Sequence, residues 1–184
     1  SKRGQKQFQH WADILKQETF NAVYSSDLQR TRNSAQFIGQ QHGLEPVSYF
    51  ELRELSFGTW EGMSVAEVER TYPGQMKERM ESVATFQADG GETYSQLQAR
   101  VIPKFEEIVS RHPNDKIAMV CHGGVNRVIL GHLLGIPIDK IFRIHQDYAA
   151  LNVIQYYDQE PVVEYIGNAE LFSSEKDEIK TAIQ

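Results

Sequence analysis

Lys116-Ile-Ala-Met-Val120 holds a short apolar run from Ile117 onward, and Val125 to Leu134 carries apolar side chains around most of a helix. Only Cys121-His-Gly-Gly124 separates them. Such a run is expected where a strand is buried on both faces, as in a parallel sheet whose crossover helices cover it. This one feature restricts the chain to the α/β class, with ligands expected at the carboxyl ends of the strands. The sequence places Gly123 and Gly124 on the turn between strand and helix, where backbone N–H groups and the start of a helix favour an anion. A histidine on that turn, His122, points to phosphate chemistry.

The remaining pattern alternates in the same way. Phe8, Trp11, Ile14 and Leu15 recur at helical spacing and predict a helix over roughly 3–18. Phe20 to Tyr24 reads as a buried strand, and Leu28 to Gln41 as a helix opened by Ser26 or Asp27 as N-cap and stopped by Gly43. Val47 to Phe50 is a strand, and short polar helices are expected over Ser64–Thr71 and Gln75–Ser82 before the Asp89-Gly-Gly91 turn. Thr93 to Arg111 is helical, with Pro103 expected to kink or divide it. Leu151 to Tyr156 and Val162 to Ile166 form a hairpin around Asp158-Gln-Glu-Pro161. The expected architecture is a three-layer α/β/α fold with a mostly parallel sheet, one domain over residues 1–172 and a frayed polar tail over 173–184.

Composition narrows the function. With 184 residues and 40% hydrophobic content the chain supports one ordinary core. A net charge of −6 argues against general nucleic-acid binding, so an anionic substrate has to be held by a local cluster of cations. No apolar stretch is long enough to cross a bilayer and no leader precedes the first helix, which predicts a cytoplasmic protein. The single cysteine and the six histidines, none in an H-E-x-x-H pattern, give no disulfide framework and no metal spacing.

Three places converge on the carboxyl edge of the predicted sheet. Tyr24-Ser-Ser-Asp-Leu-Gln-Arg30 leaves a strand and enters a helix, and Arg30 in its first turn suits phosphate oxygens by its planar fork. An ordinary surface arginine fits the same position. Glu54, between Leu52 and Leu55, sits where desolvation would favour a protonated carboxyl able to act as general acid. Pairing with Arg53 or satisfying loop amides are its plainer roles. Glu61 and Glu92 stand beside glycine turns facing the same pocket. His145, Gln146 and Asn152 border the expected entrance, Trp60 and Tyr148 line its mouth or pack, and His132 reads as a packed or partly exposed helix residue.

Tyr24-Ser-Ser-Asp-Leu-Gln-Arg-Thr31, Leu52-Arg-Glu-Leu-Ser-Phe-Gly-Thr-Trp-Glu-Gly62, Gly90-Gly-Glu-Thr93 and Val120-Cys-His-Gly-Gly-Val-Asn-Arg127 occur in the order and spacing of the histidine phosphatase superfamily, the phosphoglycerate mutase-like proteins, which the chain resembles over most of its length. That resemblance implies transfer of a phosphoryl group to a histidine in an Arg-His-Gly motif on the family's first strand, without cofactor or metal. It implies that Arg30 is the second arginine and His122 the second histidine of the phosphate pocket, with Glu54 the acid that protonates the leaving oxygen and later activates water. Gly123, Glu92 and Asn152 are the further residues expected to bind phosphate or substrate. The short segment from Gly62 to Gly90 resembles the phosphatase branch, broad-specificity and α-ribazole phosphatases included, more than the mutases.

The sequence departs from the family in containing no Arg-His-Gly. Ser1 to Gln7 resembles the segment after the family's first strand and catalytic loop, and His10, within a helix, is no substitute. The expectation is that the protein is longer than this sequence and that the nucleophile lies in the added segment. Phosphoglycerate mutase-type transfer and a non-catalytic phospho-ligand binder are the alternatives. A third reading takes Cys121 and Arg127 as a Cys-x5-Arg phosphate loop, against which stand Val120 before the cysteine and Val128 after the arginine. The partner expected is a small phosphorylated metabolite, with no nucleic acid and no membrane, and dimerisation stays open.

Overall fold

The computed structural model describes residues 2–167. Along the chain run α1 (Lys2–Leu15), β1 (Ala22–Ser26), α2 (Gln29–His42), β2 (Val47–Tyr49), α3 (Val65–Thr71), α4 (Gln75–Glu81), α5 (Tyr94–Ser110), β3 (Ile117–Val120), α6 (Gly123–Leu133), β4 (Asn152–Tyr157) and β5 (Glu160–Ile166). β1 is the middle of a three-stranded parallel sheet of order β2-β1-β3, in which Ser25 pairs with Ser48 on one side and Val120 on the other. Alternation along β1 assigns its faces. Val23 packs with Ala35 and Ile38 of α2, whereas Tyr24 packs with Leu52 and with Ile108 of α5. The sheet is therefore covered on both sides, as expected, with α1 laid against α2 and α6 against α5. β4 and β5 form a separate antiparallel hairpin, whose Asp158 and Gln159 adopt the positive φ of 48° and 73° that a tight two-residue turn favours. Glu160 and Pro161, expected in that turn, belong to β5.

Local chemistry moved several boundaries. The first strand starts at Ala22 rather than Phe20 because Asn21 already bonds Lys116 twice. Its N–H donates to the Lys116 carbonyl at 2.8 Å and its Oδ1 accepts the Lys116 N–H at 3.1 Å. The N-cap of α2 is Leu28, with no side-chain cap, and not Ser26 or Asp27. Both of those side chains are engaged elsewhere, Asp27 by Arg53 through two bonds of 2.6 and 2.7 Å and Ser26 by Thr31 and His122. Pro103 lies inside an undivided α5, opened by a Thr93–Gln96 capping box. Gly123 and Gly124 are the first two residues of α6 rather than a turn before it, and His122 is its N-cap. The tail predicted from 173, and the domain boundary at 172, lie outside the described residues.

The main core fixes the site's floor. Leu97, Val101 and Phe105 of α5 meet Val125, Val128 and Ile129 of α6, with Leu55 packed into the same cluster. Burying a side chain of this size contributes roughly 1.5–3 kcal/mol. The start of α6 and the loop carrying Glu54 are thus held by one apolar body.

Candidate active site

His122 sits at the end of β3 as the N-cap of α6, with 8% of its surface exposed. Its Nε2 lies 2.7 Å from Ser26 Oγ, which lies 2.6 Å from Thr31 Oγ1. Thr31 Oγ1 also lies 2.9 Å from the Leu28 carbonyl and 3.2 Å from that of Ser26, so a chain of hydroxyl groups ties the imidazole to the start of α2. Burial, then the charges of Arg30 and of Arg100, hold the His122 pKa down to about 4 from 6.5. Burial and the two guanidinium charges together keep the imidazole neutral at physiological pH.

Glu54 reaches the same place from the loop after β2. Its Oε2 accepts the Gly124 N–H at 3.0 Å and its Oε1 accepts the Leu55 N–H at 2.9 Å. The carboxylate caps the start of α6, where the helix dipole and free N–H groups favour negative charge. A Cβ on Gly124 would stand 2.3 Å from Glu54 Oε1, so only glycine leaves the carboxylate where it is. The flanking leucines are buried as the sequence suggested, but the carboxylate itself rests on backbone donors. Arg53 pairs with Asp27 and leaves Glu54 free of it.

Sequence reasoning missed the residue that braces this loop. Arg100 of α5 donates through Nη1 to the carbonyls of Glu51 at 2.6 Å and Arg53 at 2.9 Å, and through Nη2 to that of Glu54 at 3.1 Å. Glu92 holds Arg100 by a bidentate pair, 2.7 and 2.8 Å, with both side chains under one-fifth exposed. Glu92, expected to touch the substrate, enters the site through Arg100. The signal was available in the Glu92-x7-Arg100 spacing, which spans a helix N-terminus, yet nothing local marks Arg100 as reaching back across the fold. Gly58, at φ 52°, lets the next turn close on Asp89, whose carbonyl would lie 2.1 Å from a Cβ there.

The other candidates divide. Arg30 is exposed on the first turn of α2, and its charge reaches His122. Gly123 opens α6, and its carbonyl accepts Arg127 Nη1 at 3.1 Å. Asn152 forms a reciprocal amide pair with buried Gln146, two bonds of 2.9 Å, which Asn126 joins at 3.2 Å. Glu61 is exposed and accepts the Phe57 N–H at 2.9 Å. Trp60 packs with Val68 and Ala88, Tyr148 is 90% exposed, and His145 pairs with Asp147 at 3.0 Å. His132 is partly exposed on α6 beside Glu106. The Cys121 thiol packs against the core, and desolvation followed by the charge of Glu54 pushes it up to about 12, so it stays protonated. Arg127 donates to the Ile144 carbonyl at 2.9 Å as well as to Gly123. These two do not build a cysteine phosphate loop. Among the described residues no cluster of three His, Cys, Asp or Glu could hold a metal ion, and no helix is long and apolar enough to cross a membrane.

A neutral histidine, a carboxylate on a helix N-terminus and nearby guanidinium groups form a site for an anion, on the sequence blocks that suggested the family. The model of the histidine phosphatase superfamily (branch 1) matches residues 1–169. The chain belongs to that superfamily. Phosphoserine phosphatase 1 of Hydrogenobacter thermophilus is 31% identical over 163 residues, which cover 89% of this chain and 77% of that protein. Glucosyl-3-phosphoglycerate phosphatase of Mycolicibacterium vanbaalenii is 31% identical over 145 residues, 74% of this chain and 64% of that protein. Among solved structures, the α-ribazole phosphatase of Shigella flexneri superposes with a TM-score of 0.81 at 20% identity, covering 92% of this chain and 84% of the other, and shares the fold. Family and relatives make the protein a phosphatase.

Proposed function

We propose that the protein hydrolyses small phosphomonoesters through a phosphohistidine intermediate, with Arg30 and His122 in the phosphate pocket and Glu54 as general acid and base. The observation that carries this reading is the convergence of neutral His122 and the Glu54 carboxylate on the first turn of α6, under the charges of Arg30 and Arg100. A transferred phosphoryl group spreads its charge over its oxygens, and fixed cations with backbone donors stabilise it without a metal. An arriving phosphate offsets the two guanidinium charges. His122 then takes a proton and donates a hydrogen bond to the anion.

The attacking group in this proposal is a histidine outside the 184-residue sequence, since no Arg-His-Gly occurs in it. β3 pairs only with β1 and β4 only with β5 among the described residues, while Met119 of β3 and Ile154 of β4 pack against the same core cluster. A further strand between those open edges would bring its carboxyl end to the mouth of the site. Glu54 takes the proton of the arriving phosphomonoester monoanion; the histidine of that strand then attacks phosphorus, the phosphorus–oxygen ester bond breaks, and Glu54 passes that proton to the leaving alcohol. Glu54 then takes a proton from water, whose oxygen attacks the phosphohistidine and frees phosphate and histidine. The enzyme so read is cytoplasmic and acts on a small metabolite.

Rapid alkaline quenching of the native gene product with substrate, followed by intact-mass and peptide spectrometry, tests this. One acid-labile, alkali-stable phosphoryl group on a histidine other than His122 is expected. Turnover with no such adduct overturns the covalent route, and phosphate binding without turnover reduces the protein to a binder.

A further inference from the structure

Arg100 carries a charge beside the site and has no donor left to offer a substrate. A guanidinium has five N–H groups, and the fold takes all of them. Nε donates to Glu92 Oε1, Nη2 to Glu92 Oε2 and the Glu54 carbonyl, and Nη1 to the carbonyls of Glu51 and Arg53, over distances of 2.6–3.1 Å. Its charge is met by Glu92 in the same fork, and both side chains are less than one-fifth exposed. An arginine that grips phosphate oxygens needs an open fork. This one is closed.

What the fork holds is the backbone around Glu54. The single helical turn Phe50–Leu52 and the extended Arg53 after it bring three carbonyls within reach of one side chain from α5. Carbonyls drawn out of water need donors, and Arg100 supplies them. Buried Leu52 packs with Tyr24 and Ile108, and Leu55 enters the main core, so the two leucines fix where the loop lies. They leave open how the residues between them are turned. The Glu54 carbonyl rests on Arg100 Nη2 while its carboxylate accepts the Gly124 N–H at 3.0 Å, so the first contact orients the residue for the second. Displacing a reacting group by about 1 Å can cost about a hundredfold in rate.

Resting on the phosphatase reading, we propose that Arg100, held by Glu92, is a positioning residue for proton transfer: it sets the turn of the Glu54 backbone that brings the carboxylate to the leaving oxygen. Charge alone does not suffice for this. A lysine has three donors on a point charge and cannot grip the Glu92 carboxylate and all three carbonyls together. The consequence is selective. Esters whose leaving alcohol needs a proton depend on Glu54, whereas an aryl ester with an acidic leaving group does not, so Arg100 governs the first class and spares the second.

The test is a double-mutant cycle in the native gene product, with Arg100→Lys, Glu54→Gln and the two combined, assayed on glycerol 2-phosphate and p-nitrophenyl phosphate. Arg100→Lys should lower kcat on glycerol 2-phosphate by about tenfold or more with KM little changed, and on p-nitrophenyl phosphate by less than about twofold. In the Glu54→Gln background the same exchange should cost less than about twofold on either ester, because the group it positions is already gone. Glu92→Gln, which leaves Arg100 one acceptor oxygen, should give the same pattern at smaller size, and carries the cycle if Arg100→Lys does not fold. Equal losses on both esters, or losses that multiply with those of Glu54→Gln, would make Arg100 a general brace of the fold and overturn the proposal, with the phosphatase reading left standing. If Glu54→Gln alone loses equally on both esters, the acid is misassigned and the proposal falls with it. Hydrolysis of neither ester by the unaltered protein would remove the small-phosphomonoester reading on which the proposal rests.

Discussion

Two histidines lie at opposite ends of the same parallel sheet in contrasting company. His112, between α5 and the start of β3, has Nδ1 2.6 Å from Asp115 Oδ2 and Nε2 2.7 Å from the Tyr24 hydroxyl. His122, at the carboxyl end of β3, has a serine hydroxyl for a partner and feels two guanidinium charges. At the first end Asp115 and Tyr24 occupy both ring nitrogens of His112. At the second, Arg100 is answered by Glu92, while exposed Arg30 stands beside a histidine kept neutral. The sheet is therefore polarised in what it has left unpaired, structural at its amino end and receptive at its carboxyl end.

The largest expected break of this contrast comes from Glu54→Gln, which leaves the carbonyl oxygen as acceptor and removes the transferable proton. Turnover of alkyl phosphates should fall by about 10²–10⁴, and that of p-nitrophenyl phosphate, whose leaving group needs no acid, far less. Equal losses on both esters would remove Glu54 from proton transfer. His122→Ala and Arg30→Ala should each lower kcat by about 10²–10³, in line with the loss of one preorganised charge stabiliser. Steady-state rates near those of the unaltered protein in either variant would exclude that residue from the pocket.

Acid should separate the two ends further. Folding holds the His122 pKa near 4 against 6.5 unfolded, so between these values the unfolded chain binds the extra proton. The stability His122 contributes is whole above pH 6.5 and is lost as pH falls through 4, a difference of about 3 kcal/mol. Urea midpoints measured across that window should fall for the unaltered chain and flatten for His122→Gln; identical profiles would show that the imidazole is not held neutral. The smallest effect belongs to the amino end. Tyr24→Phe removes the hydroxyl bonded to His112 and should cost about 1 kcal/mol of stability with kcat unchanged.

The layered fold was legible because strand-period and helix-period apolar runs follow each other with few interruptions, from Val23 to Val128. The positions of the candidate site residues were legible in the same way, since His122, Glu54 and Arg30 each follow the end of a strand. What escaped was set by partners distant in sequence. Nothing near Ser26 shows that its hydroxyl goes to Thr31 and His122, and so the helix cap was assigned to the wrong residue. Nothing near Arg100 shows that three carbonyls of another segment await it. Gly123 and Gly124 look like a turn in one dimension. Only the Glu54 carboxylate resting against Gly124 explains a glycine inside a helix that does not need its flexibility.

That contact also makes the site unusually sensitive to a change that stability assays would overlook. Exchanging Gly124 for alanine needs one nucleotide and favours the helix by propensity. The added methyl meets only the far end of a flexible side chain, so the chain should fold, with the Glu54 carboxylate pushed off the amide it caps. A population carrying this allele would accumulate normal amounts of protein whose proposed proton donor is displaced, a phenotype that abundance measurements cannot reveal.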